Sequence, residues 1–107
     1  MATTYKILGQ ITGSAATASL YTVPAATQAV VSSIVIANRG SVTGTYYIGA
    51  LPSGSTIANQ HWIAFAVPVS ASDSTALTLG VTLNAGDSIQ VSGNLTGSFS
   101  AFGSEIS

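Results

Sequence analysis

The sequence contains no cysteine, which removes disulfides, thiolate catalysis and cysteine-based zinc sites. Charge is nearly as scarce. Two cations, Lys6 and Arg39, stand against three acids, Asp73, Asp87 and Glu105, for a net charge of −1. Charged residues make up 5% of the chain, where about 25% is ordinary. Affinity for nucleic acid comes from several Lys or Arg contacts that release counterions, so two cations exclude nucleic acid as an expected partner. Long apolar runs are also missing. A stretch such as AFAVPV falls far short of the roughly 20 residues that span a bilayer. The start, MATTYKILGQITGS, lacks the basic segment, apolar run and small-residue cleavage site of an export signal. No membrane partner is expected.

Catalysis has little to draw on. His61 is the one histidine and would have to serve any triad or histidine-based metal site alone. No G-x-S-x-G elbow, H-x-x-x-H pair, P-loop or G-x-G-x-x-G pattern is present. Asp73 and Asp87 lie in Ser/Gly-rich turns, where a short carboxylate accepts backbone N–H groups. Calcium needs six or more oxygens, and neither turn has a second acid. The expectation is a protein that is not an enzyme and takes no metal or cofactor. Asn94-Leu95-Thr96 matches the N-glycosylation pattern, which means little without an export signal.

What is present is alternation. In STALTLGVTLNAGD, residues 74–87, Leu77, Leu79, Val81 and Leu83 interleave with Thr78, Gly80, Thr82 and Asn84. Period two recurs along the chain, with turn residues at sandwich spacing. Strands are expected over 5–11, 20–24, 28–38, 45–51, 61–69, 77–83 and 88–93, with a last segment over 98–107. Pro24 marks a turn, Pro68 an edge or the end of pairing, and Gly80 a bulge or bend. Loop composition covers 38–44. The 107 residues suit one domain, 1–107. The expected fold is all-β: a single-domain antiparallel β-sandwich of about eight strands, in jelly-roll or immunoglobulin-like order.

Two segments carry apolar residues on both faces. In 28–38, Val31, Val35 and Ala37 oppose Val30, Ile34 and Ile36; in 61–69, Ile63, Phe65, Val67 and Val69 oppose Trp62, Ala64 and Ala66. Such strands suit burial between layers or a subunit contact, and the low charge points the same way, toward self-association. Tyr46 and Tyr47 must point to opposite faces of their strand, leaving one for a neighbouring subunit. Trp62 suits a core or an interface, or stacking on a sugar ring. Tyr46, Tyr47, Trp62 and Phe65 are therefore the candidate interface residues.

YKILGQ near the start, LYTVPAATQAVVSSIVIANRG, ALTLGVTLNAGDSIQV and the ending FSAFGSEIS together resemble a family of small virion proteins. These are encoded by tailed bacteriophages, particularly of cyanobacteria and marine bacteria. The similarity runs over nearly the whole chain, and the segment 61–69 is more apolar than the family pattern. The resemblance implies a non-enzymatic, oligomeric β-sandwich component of the particle. The favoured expectation is a decoration or cement protein that binds the outer capsid surface as a homotrimer, with the major capsid protein as partner. A neck, tail or fibre subunit is the structural alternative, and a carbohydrate-binding module for a host surface is the alternative of another class.

Overall fold

The computed structural model describes residues 2–12, 17–94 and 96–107, with Leu79 described through its backbone alone. Part of the small polar segment after the first strand, and Leu95 of the glycosylation pattern, lie outside the described residues. The strands are β1 (Thr3–Thr12), β2 (Ala18–Thr22), β3 (Gln28–Asn38), β4 (Gly44–Leu51), β5 (Trp62–Val69), β6 (Ser74–Leu83), β7 (Ser88–Gly93) and β8 (Gly97–Ile106). A 3₁₀ turn, Asn59–His61, precedes β5.

Two four-stranded sheets form, in the orders β1-β8-β3-β6 and β2-β7-β4-β5. Every pairing is antiparallel. First pairs with eighth, second with seventh, third with sixth and fourth with fifth, as in one long hairpin wound around its own core. Added pairings of β3 with β8 and β4 with β7 close each sheet. This is jelly-roll order. An immunoglobulin order would pair the first two strands with each other, whereas here they lie in different sheets.

The core fills the space between the sheets. Val31, Ile34, Ile36, Ile48, Ile89 and Phe99 are fully buried there, each worth about 1.5–3 kcal/mol relative to exposure. Ile34 lies opposite Ala101 and Ile36 opposite Phe99, so one row of β3 and β8 faces inward. The two-sided pattern of β3 has a local cause. Val31 pairs with Gly103 and Ser33 with Phe102, leaving Ser32 as an extra residue. One extra residue reverses which parity faces inward. Ala29 and Val31 therefore point into the core before the bulge, and Ile34 and Ile36 after it. β3 is thus one-sided with a change of phase. On β6, residues 79 and 80 both stand opposite Ser32, so the irregularity expected at Gly80 is present.

Candidate interaction surface

β5 carries the same kind of phase change. Tyr46 pairs with Val67 and Ile48 with Ala64, so Phe65 and Ala66 together stand opposite Tyr47. Ala66 adopts φ of 53°, a left-handed conformation uncommon for a residue with a side chain. The bulge divides the row expected to run from Ile63 to Val69. Val69 is buried and Val67 packs against the core, while Ile63 and Phe65 are exposed. Ala64 points inward between them. β5 is an edge strand, as Pro68 implied.

Of the four candidate interface residues, three come together. Tyr47, Trp62 and Phe65 form an aromatic cluster on the outer face of β4 and β5, with ring centroids 4.9 to 5.8 Å apart. Tyr46 does not belong to it. Its ring is 1% exposed and fills the core, because Tyr46 and Ile48 share the inward parity of β4. Burial raises the pKa of its phenol. Tyr47 and Trp62 are half-buried, and Phe65 is 62% exposed. Ile63, 46% exposed, extends the apolar surface along β5.

The segment before β5 positions Trp62. The backbone N–H of Ala58 donates to His61 Nδ1 at 2.9 Å, and the His61 N–H donates to the Ala58 carbonyl at 3.0 Å. His61 thereby closes the 3₁₀ turn, a structural use of the one imidazole. Trp62 then lies beside Gly49, where a Cβ would come 2.8 Å from Ile57 Cδ1 and 3.4 Å from Trp62 Cε3. The bare glycine lets Ile57 and the indole settle against β4.

The three carboxylates and Lys6 are engaged away from this cluster. Asp87 Oδ1 accepts from the Ser53 N–H at 2.8 Å and Oδ2 from the Asn84 N–H at 2.9 Å, tying two turns together. Asp73 Oδ1 accepts from the Ser74 N–H at 2.8 Å. Lys6 Nζ pairs with Glu105 Oε1 at 3.1 Å, and the Tyr21 hydroxyl donates to Glu105 Oε2. The Tyr21 hydrogen bond, aided by Lys6 and opposed by partial burial, holds the Glu105 carboxyl below its ordinary pKa. Burial first, then the carboxylate, raises the Tyr21 phenol. Shallow grooves at one end of the sandwich are lined by segments 26–30, 50–52, 81–87 and 106–107. Asp87 is the titratable side chain among these lining residues, and both of its oxygens are already occupied. Among the described residues no three His, Cys, Asp or Glu side chains gather as a metal site would require.

A second exposed apolar region lies on the other sheet, where Tyr5 is 84% and Ile7 52% exposed. Sequence reasoning did not single it out, although the alternation of YKILGQI carried the signal. No protein-family model matches the chain, and no curated protein matches it at significance.

Proposed function

We propose that the protein is a structural component of a tailed-bacteriophage particle, a decoration protein that docks on the outer capsid surface and stabilises the shell. The observation that carries the reading is the exposed aromatic cluster Tyr47–Trp62–Phe65 with Ile63 beside it, on a face where no charged side chain is placed. Aromatic anchors surrounded by neutral contacts are what a protein interface needs at its centre. Jelly rolls serve both capsid and lectin domains, so the fold alone does not choose between shell and sugar. The rings favour protein. They are tilted against one another by 58° to 84°, the mutual geometry of aromatic packing in cores and interfaces.

The test is binding of the purified protein to shells stripped of it. Phe65→Ser should weaken binding by about 30-fold, the loss of a central aromatic anchor, while the circular dichroism spectrum stays unchanged. Undiminished binding by both Phe65→Ser and Ile63→Ser would remove this surface from the docking site.

A further inference from the structure

Bulges interrupt several strands, and the extra residue of each shows what the bulge serves. On β1 it is Leu8 and on β2 Leu20, and both are buried in the core. β5 is different. Its residues from Trp62 to Val67 lie against the shorter stretch of β4 from Gly49 to Tyr46, with Ile63 as one surplus residue and the pair Phe65–Ala66 holding another. All three of these side chains are exposed. Ala66 also carries strain. Among the described residues, Ala26 and Ser72 share its positive φ but lie in turns, whereas Ala66, at 53°, lies within a strand. An alanine is less stable there than in extended backbone, so the surrounding structure must hold it in place.

We infer that Ala66 is a positioning residue: its bulge holds Phe65 outward against Tyr47 and Trp62, serving the surface and not the core, a role that rests on the docking function proposed above. The core has no use for the extra residue. Ala64 stands opposite Ile48 and Val67 opposite Tyr46; without Ala66 the two β5 residues would be spaced as their β4 partners are, and both would still point inward. Protection of the edge does not account for the bulge either, because Pro68 already interrupts pairing on this edge strand. What the bulge changes is the outer row. Phe65 and Ala66 share the place opposite Tyr47, and the Phe65 ring stands 4.9 Å from Tyr47 and 5.8 Å from Trp62, at 84° and 67°. A bulge bends its strand and re-aims side chains, and here it turns Phe65 onto its two aromatic neighbours.

Trp62 is the one tryptophan, so its near-ultraviolet circular dichroism band reports the packing of the cluster with no shell present. Ala66→Gly should keep the band and the docking affinity of the wild type, because glycine adopts positive φ freely. Deletion of Ala66 should leave a folded sandwich with an equal or higher thermal midpoint, while the tryptophan band changes and docking weakens by about tenfold, as for a misplaced interface anchor. Ala66→Val, which puts a β-branched residue in the left-handed region, should alter the band and weaken docking without shortening the strand. A deletion variant that unfolds overturns the inference, since the core would then need the bulge, as does an unchanged band in both the deletion variant and Ala66→Val. Phe65→Ser separates this role from the docking surface itself. Loss of docking there, with normal docking by both Ala66 variants, overturns the positioning role alone, and normal docking by all three overturns the docking surface with it.

Discussion

The Tyr21 hydroxyl of β2 donates to the Glu105 carboxylate of β8, joining the two sheets through residues 84 positions apart. Lys6 of β1 binds the other carboxylate oxygen at 3.1 Å, so one carboxylate ties together β1, β2 and β8 at the open end of the sandwich. A hydrogen bond to a charged group contributes about 1.5–3 kcal/mol. Tyr21→Phe should lower unfolding stability by about that amount, read as a lower urea midpoint with an unchanged slope.

The same pair sets the pH response. The folded-state pKa of Glu105 lies below the ordinary 4.5, so its contribution is present above about pH 4.5 and is lost as pH falls through the folded value. At the other end, Tyr21 and Tyr46 are both raised above 10.0. Their neutral phenols suit the fold up to about pH 10, and stability falls as the unfolded chain ionises above it. Urea midpoints measured from pH 2 to 12 should show both declines. Glu105→Gln should start lower at neutral pH and lose less between pH 5 and 2.

Gly103 lies beside the Ser32 bulge, where a Cβ would come 2.0 Å from the Val30 carbonyl oxygen. The nearest atoms, the Val30 carbonyl and the Ser32 nitrogen, are all β3 backbone, so nothing flexible is there to move. Gly103→Ala should cost about 3 kcal/mol or more. Gly80 meets nothing within 4 Å of its missing Cβ, so Gly80→Ala should change stability by about 0.5 kcal/mol or less. Thermal melts of the two variants make the comparison.

Asn38, 2% exposed, donates through Nδ2 to the Val42 and Val69 carbonyls at 2.9 and 3.1 Å, while its Oδ1 accepts from the Gly40 N–H at 3.0 Å. It holds the 39–43 loop against the end of β5. Asn38→Leu keeps the volume but strands three backbone groups, and should cost about 2–4 kcal/mol by chemical denaturation.

Period two and turn residues were sufficient to place every strand to within a few residues, because burial of one face dictates that spacing. Phase was not legible. Gly80 marked the irregularity of β6, but the shifts that divide β3 and the middle of β5 fall at Ser32 and at Phe65 with Ala66, none of which is a glycine or otherwise marks the shift. This is why β3 and β5 read as two-sided, and why Val67 was grouped with Phe65. Alternation also established that Tyr46 and Tyr47 diverge without saying which turns inward. Strand order rests on pairings such as Thr3 with Ile106, between opposite ends of the chain, which local pattern does not encode. The aromatic cluster was legible as composition, through Tyr47, Trp62 and Phe65, but its assembly depends on the register of β4 with β5. The Lys6–Glu105–Tyr21 connection had no sequence signal at all.

Position on the particle is the central claim, and copy number tests it most directly. A protein that decorates the shell occupies a repeated site among coat subunits, so its abundance must scale with that of the major capsid protein. By linkage, binding to the assembled shell stabilises the state that is bound. Quantitative mass spectrometry of purified virions should find this chain in near-stoichiometric proportion to coat protein. A few copies per particle would contradict the decoration reading and place the protein at the neck, tail or fibre.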